Sequence, residues 1–254
     1  MMLGDDYEVV EHLSRSRVLD VYDVYSESRD CRCIAKTLRP DRHDDEKARR
    51  RLREEGQLLL RLAHPHIVRA YELIERPDPV VILETLTGET LGHLIERSRR
   101  RLPAEDIAFL GMHLCSALHY LHGEGFLHRD LKPSNVVTDG GQAKLIDLSI
   151  ARPPGPARPG AGTRQYMAPE QVSGGVMSAA TDVWGVGATL FEAATGAMPF
   201  PDHDQLARPA APVRTLRPRL PRAIADAIDS ALSPDQDARP AVRELADALD
   251  EAIP

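Results

Sequence analysis

The stretch Thr87-Gly88-Glu89-Thr90-Leu91 divides this 254-residue chain into two segments of different pattern, which limits the fold to one that keeps its sheet and most of its helices apart. Before it, Tyr7-Glu8-Val9-Val10, Val21-Tyr22-Asp23-Val24-Tyr25 and Cys33-Ile34-Ala35-Lys36 carry β-branched, aromatic or alternating residues between polar turns. Two more strand-like runs follow, at about 67–74 and about 80–84. One helix interrupts these strands, capped by acids at 41–45 and running from about 46 to about 63. Beyond the break the chain turns helical. Pro103-Ala104-Glu105-Asp106 opens a helix whose stripe is Ile107, Leu110, Leu114, Ala117, Leu118 and Leu121, closed by Gly123 and Gly125. Later helices are expected at about 179–195, about 222–231 and about 241–252. A short hairpin around Asp139-Gly140-Gly141 joins Val136-Val137-Thr138 to Ala143-Lys144-Leu145-Ile146. The pattern is α+β, and the length suits one large domain or one domain of two lobes, either with a substantial core.

Composition excludes several classes. A net charge of −7 argues against a nucleic-acid binder of the basic-patch kind. The basic runs Arg49-Arg50-Arg51 and Arg97 to Arg101 lie among acids without interleaved aromatics, and read as solvated helix faces. No stretch of about 18 apolar residues could span a membrane. The opening Met1-Met2-Leu3-Gly4-Asp5-Asp6 has no basic or apolar leader pattern, and three cysteines, Cys31, Cys33 and Cys115, suit a reducing compartment, so a cytoplasmic protein is expected. Cys31-x-Cys33 has no second pair at zinc spacing and reads as strand packing. Pro153 to Gly162 can be neither helix nor central strand and is expected to form a mobile loop.

Two local features carry chemistry. In the first helix Ala48, Leu52, Leu59 and Leu62 share one apolar stripe, and Glu55 lies on it between Leu52 and Leu59. A carboxylate buried there needs a cation, for which Lys36 is the candidate. The alternative is a glutamate at the edge of the stripe that reaches water. The second feature is His128-Arg129-Asp130-Leu131-Lys132-Pro133-Ser134-Asn135, which sets a carboxylate, an ammonium and a carboxamide on one short loop. Asp147 follows at the end of the apolar run Leu145-Ile146. Such a loop can bring a metal-bound nucleotide to a hydroxyl nucleophile, with the hydroxyl at Asp130, the metal at Asn135 and Asp147, and the transferring phosphate near Lys132. Singly, Asp130 or Asp147 would read as a loop-capping carboxylate.

In order and spacing these motifs resemble the catalytic domain of a protein kinase, of the bacterial eukaryotic-like Ser/Thr type, over nearly the whole chain. Ile34-Ala35-Lys36 resembles the strand-lysine motif and Glu55 the helix glutamate. Residues 128–135 resemble the catalytic loop, Asp147-Leu148-Ser149 the metal-binding triplet, and Ala168-Pro169-Glu170 the end of the activation segment. The resemblance implies a bilobal fold: a small antiparallel-sheet N-lobe with one helix at 1–86, and a larger, mainly helical C-lobe at 87–254 with its activation segment at 147–170. It implies ATP with Mg2+, or Mn2+ in its place, and transfer of the γ-phosphate to protein hydroxyls by a non-specific serine/threonine protein kinase. Lys36, oriented by Glu55, would hold the α- and β-phosphates; Asp130 would act as base and Lys132 would neutralise the transferring group; Asn135 and Asp147 would bind magnesium. Thr163 would hydrogen-bond the catalytic loop. With Leu83 as gatekeeper, backbone at Glu84 and Leu86 would bind the adenine, and Val21, Ala35 and Val137 would sandwich it, although core packing accounts for each of these three equally well. Glu170 would pair with Arg239, and Asp182 would receive amides of the catalytic loop. His128 and Leu148 would be packing residues.

Two departures stand out. Where the family has Gly-x-Gly-x-x-Gly over the phosphates, this chain has Ser14-Arg15-Ser16-Arg17-Val18-Leu19, so Ser14, Ser16 and Leu19 replace glycines whose backbone can approach phosphate closely. Arg15 and Arg17 either contact phosphate or are solvated. Ser149 replaces the glycine of the metal-binding triplet. The lost glycines keep open a pseudokinase scaffold with weak or no ATP turnover; the third reading is a small-molecule phosphotransferase on a kinase-like fold, which Ala168-Pro169-Glu170 and Arg239 oppose. The protein substrate is not legible, and neither nucleic acid nor membrane is expected as a partner. No Ser, Thr or Tyr lies between Ser149 and Thr163, so a phosphate bound to Arg129 is not expected to switch this segment, and control would fall to a regulatory protein partner or to expression. Intact mass and peptide mapping after incubation with Mg-ATP should therefore show no activating phosphate in the segment; one on Thr163 that raises activity would refute this.

Overall fold

Alternating valine, tyrosine and cysteine produce an antiparallel sheet in the first part of the chain. The computed structural model describes residues 2–98 and 101–253, and its contacts divide the chain into Met1–Thr87 and Gly88–Pro254. In the first unit the strands are Met2–Leu3 (β1), Tyr7–Arg15 (β2), Leu19–Ser26 (β3), Cys31–Leu38 (β4), Ala70–Ile74 (β5) and Val80–Glu84 (β6), in the spatial order β1-β2-β3-β4-β6-β5. The run expected from 67 yields a strand only from Ala70. Ile67, in a single bridge, and Val68 are buried ahead of that strand, so their apolar character marks the core.

Glu46–Arg61 (α1) follows β4, with the Asp45 carboxylate accepting the Ala48 amide as its N-cap. Ala48, Leu52, Leu59 and Leu62 are buried as the stripe requires, and Glu55 is buried with them. The sheet register settles which face α1 meets. Lys36 pairs with Val21 on one side and Val81 on the other, and Val81 pairs with Leu73, so these four side chains share a face. Gly56 lies against it: a Cβ there would fall 2.9 Å from both Leu73 Cδ1 and Val81 Cγ2.

The second unit begins with Glu89–Thr90 (β7), Leu91–Ser98 (α2) and Ala104–Gly123 (α3), whose expected stripe is buried. Val136–Asp139 (β8) and Gln142–Leu145 (β9) form the expected hairpin, with Gly140 and Gly141 at φ 55° and 83°, and β7 adds a third strand. Then come Gly155–Pro156 (β10), Pro169–Ser173 (α4), Val176–Met177 (β11), Ala179–Thr195 (α5), Val213–Leu216 (α6), Arg222–Ala231 (α7) and Val242–Asp250 (α8). Helix α5 is the core: it is buried almost throughout, and Trp184 stacks on Phe200 with ring centroids 5.3 Å apart. Helices α3, α7 and α8 pack around it.

Pro153 to Gly162, neither helix nor central strand as expected, contributes one short edge strand. Gly155 and Pro156 pair with Met177 and Val176, the Ala157 amide donates to Gly175 O, and the Gly160 amide donates to Gln171 O. A two-stranded edge ribbon tolerates the proline because the ladder does not need its missing N–H. Among the described residues no helix is long and apolar enough to cross a membrane. The α1 contact gives a direct test: Gly56→Val should destabilise the protein by about 1–3 kcal/mol in urea unfolding, because the branched side chain must push α1 off Leu73 and Val81.

Candidate active site

The catalytic-loop residues enter the structure strained. Arg129 has φ 69°, a left-handed conformation uncommon for a residue with a Cβ. It is held by Asp182 at the start of α5, whose Oδ2 accepts the His128 amide and whose Oδ1 accepts the Arg129 amide, both at 2.8 Å. His122 Nε2 at the end of α3 lies 2.7 Å from Asp182 Oδ2. The loop is thereby fixed to two buried helices. His128 is wholly buried, burial lowers its pKa, and its Nδ1 accepts the Asp130 amide at 3.2 Å.

Asp130 is the hub of the side chains. Its Oδ1 accepts the Thr163 amide at 2.7 Å, and its Oδ2 accepts Lys132 Nζ at 2.9 Å. Lys132 Nζ also donates to Thr163 Oγ1 at 2.5 Å, which closes a ring of three residues. Asn135, which is buried, donates Nδ2 to the Asp130 carbonyl at 2.9 Å and approaches Asp130 Oδ2 at 3.4 Å. Those bonds orient the carboxamide and leave Oδ1 as its ligand atom. The Ile146 amide donates to Asn135 O at 3.0 Å, which brings the next residue, Asp147, beside Asn135. Asp147 Oδ1 accepts the Ser149 amide at 3.0 Å. An amide oxygen and a carboxylate on adjacent backbone form a hard-oxygen pair that fits magnesium, which takes few protein ligands. Val137, on β8, is buried in the same unit.

The activation segment is bound to this loop by residues that the motifs do not reveal. Gln171 donates Nε2 to Arg129 O at 2.7 Å and to Ala161 O at 2.9 Å, and its Oε1 accepts the Ala168 amide at 3.0 Å. Its one sequence signal is a Gln at the third position of a helix that starts on Pro169. Gly162, at φ 129°, would place a Cβ 3.0 Å from Arg129 O, so only glycine lets the segment approach so closely. Gln205, also buried, donates to the Arg164 and Met167 carbonyls. Arg239 and Glu170 form a two-bond ion pair at 2.8 and 2.9 Å, with the Arg239 guanidinium 5.0 Å from the Trp184 ring. A cavity of about 780 Å³ between α2, α3 and the β8–β9 turn touches none of the expected site residues.

In the first unit Lys36 Nζ donates to Glu55 Oε1 at 2.6 Å, with both residues buried. Val21 shares the Lys36 face, and so does Ser14, which pairs with Val21. Ala35 does not. The pleat turns it to the opposite face, into a core cluster with Tyr7, Val24, Cys33, Val80 and Ile82, so Ala35 and Val21 cannot line one side of a ring; Ile34 is the side chain beside Lys36 on that face. At the end of β6 the Glu84 amide donates to Arg69 O, and its side-chain Oε1 accepts the Arg69 amide at 2.9 Å. Leu86 lies two residues further on, beyond the strand and partly exposed. Ser16 faces its own turn, with its hydroxyl bonded to Leu19. Arg15 is half exposed and pairs with the buried Asp20.

Comparison with known proteins identifies the family. The protein kinase domain family matches residues 7–249, and the chain belongs to that family. A probable serine/threonine-protein kinase of Streptomyces coelicolor is 32% identical over 249 residues, 93% of this chain and 36% of that protein. PknA of Corynebacterium glutamicum, a serine/threonine-protein kinase, is 31% identical over 239 residues, 88% of this chain and 50% of that protein. The serine/threonine-protein kinase PknB of Mycobacterium tuberculosis is 32% identical over 212 residues, 78% of this chain and 34% of that protein. The chain thus spans half or less of the length of these relatives.

The Glu170–Arg239 pair makes acid stability testable. Burial raises the Glu170 pKa, but the Arg239 guanidinium and the Thr181 hydroxyl outweigh it and hold the carboxyl below its ordinary 4.5. The pair's contribution is therefore complete above pH 4.5 and lost as pH falls through the lowered value. Arg239→Met, which leaves a buried carboxylate unpaired, should cost about 3–5 kcal/mol at neutral pH. In urea unfolding at stepped pH, that deficit should narrow on the acid side.

Proposed function

We propose that this chain transfers the γ-phosphate of Mg-ATP to serine or threonine hydroxyls of protein substrates. The observation that carries the reading is the closed ring of Asp130, Lys132 and Thr163, in which Asp130 Oδ2 is held by Lys132 and Asn135 while Oδ1 accepts the Thr163 amide and keeps a lone pair for a substrate hydroxyl. Asp130 then takes or orients the hydroxyl proton, and Lys132, 2.9 Å from it, offsets negative charge on the group in transfer. Thr163 holds Lys132 and Asp130 in register. Lys36, positioned by Glu55, binds nucleotide phosphates, with Val21 and Ser14 on its face and the backbone of Glu84 and Leu86 at the adenine end. Asn135 Oδ1 and Asp147 would hold the metal, which supplies charge neutralisation of the phosphates when bound. Catalysis on these terms is positioning and electrostatics, and it needs no covalent intermediate on the protein.

The serine/threonine-protein kinase names of the relatives support this reading, and three unpaired cysteines fit work in a reducing compartment. A scaffold with little turnover is the second reading, favoured by the glycine-free turn alone. Radiolabelled phosphate transfer to a generic protein substrate, with magnesium or manganese, separates them. Asp130→Asn should lower kcat by about a hundred- to ten-thousand-fold, and Lys36→Met should do likewise. Transfer no greater than that of the two variants would favour the scaffold; transfer to a metabolite alone would favour a small-molecule phosphotransferase.

A further inference from the structure

The turn that lacks glycines is closed by side chains. Ser16 Oγ donates to Leu19 O and accepts the amides of Leu19 at 2.9 Å and Val18 at 3.4 Å, and the Ser16 amide donates to Leu19 O at 2.8 Å. The hydroxyl's one donor and two acceptor sites are thus all used, and the amides of Val18 and Leu19 point into the turn. Directly behind the turn, Arg15 and Asp20 are cross-strand partners. Arg15 grips Asp20 with two bonds, Nε to Oδ1 at 2.7 Å and Nη2 to Oδ2 at 2.9 Å. Asp20 is wholly buried and is also met by His12 Nε2 at 3.2 Å and the Tyr22 hydroxyl at 3.4 Å. From β4's end Arg39 donates Nη1 to the carbonyls of Ser16 at 3.2 Å and Arg17 at 3.4 Å, while Asp41 holds the rest of its guanidinium.

Register ties this cluster to Lys36. Leu19 pairs with Leu38, Asp20 with Thr37 and Val21 with Lys36, so the turn begins about 7 Å along the neighbouring strand from the Lys36 level. Asp20 lies on the face opposite Lys36 and Val21, so its cluster holds the hairpin without entering the space beside Lys36.

We propose that Asp20, Arg15 and Arg39 form a latch that replaces the glycine loop: they are positioning residues that set Ser14 and Val21 over the nucleotide by rigid side-chain bonding. The inference rests on the kinase reading and goes beyond it by assigning the nucleotide wall to residues outside the kinase motifs. A glycine loop offers its backbone amides to phosphate; in this turn the Ser16 hydroxyl takes the Val18 and Leu19 amides itself. Loosening the latch weakens nucleotide capture and leaves the phosphoryl-transfer ring of Asp130, Lys132 and Thr163 untouched.

The test combines kinetics with hydrogen exchange. Asp20→Asn and Arg15→Met should each raise KM for ATP by on the order of tenfold with kcat within about twofold, and Arg15→Lys, which keeps charge but loses the two-bond grip, should fall between. Arg15→Lys keeps a cation beside the buried Asp20, so it is the variant to read if Asp20→Asn or Arg15→Met does not fold. In the nucleotide-free protein the Val18 and Leu19 amides should exchange slowly, and faster by on the order of tenfold in Arg15→Met. Unchanged KM in a variant that still binds ATP overturns the latch alone. So does a fall in kcat and Tm with KM unmoved, since that is a structural role only. Failure of the unaltered chain to bind a non-hydrolysable ATP analogue overturns the kinase reading and the latch's positioning role together, and that outcome is seen before any variant is made.

Discussion

Much of the second unit depends on one buried carboxylate. Asp182 is almost without solvent, yet both its oxygens are occupied by the amides of His128 and Arg129 and by the His122 ring. Hydrogen bonds to a charged acceptor contribute about 1.5–3 kcal/mol each, enough to offset the roughly 1–3 kcal/mol that a left-handed Arg129 costs. The carboxylate in turn is held because α5 is buried on nearly every side. The geometry of Asp130 is therefore set by core packing two residues and one helix away from the chemistry.

The same logic recurs where charge is buried elsewhere. Lys36 and Glu55 are each buried in the first unit, and a strand and a helix are needed to bring them to 2.6 Å. Glu170 and Arg239 tie the activation segment to the end of the chain with two parallel bonds. Breaking either pair would strand a charge in a poorly solvated place, so each pair makes a particular arrangement costly to leave. Specific placement, more than net stability, is what such pairs supply here.

The nucleotide turn shows the opposite solution. A glycine loop leaves its amides available; Ser16 turns them inward, and Asp20 and Arg39 bear on the turn from two directions. Side-chain bonding of this kind exchanges adaptability for a preset shape. Ser16 and Arg15, read from the sequence as departures, thus belong to a connected set, with the half-exposed Arg15 paired to a buried aspartate.

Sequence alone determined the main strands and helices and the candidate reacting groups, while Leu91–Ser98 and the short strands Glu89–Thr90 and Gly155–Pro156 were not legible in it. Period-two alternation marked the sheet, the stripe of Ala48, Leu52, Leu59 and Leu62 marked α1 with Glu55 upon it, and the helices at Ala179–Thr195 and Arg222–Ala231 follow the expected bounds, because local periodicity decides such things. The loop of Asp130, Lys132 and Asn135 was legible because its residues are contiguous. What needed tertiary structure was anything joining distant residues or choosing a face. Gln171 reaching Arg129 and Ala161, Gly162 against Arg129 O, and Asp20 under Arg15 carry almost no local signal. Ala35 was expected beside Val21, and the strand pairing turned it into the core, because a one-residue step along a pleated strand reverses the side of the sheet. Composition and spacing supply the groups; only the register and the packing of α5 decide which of them meet.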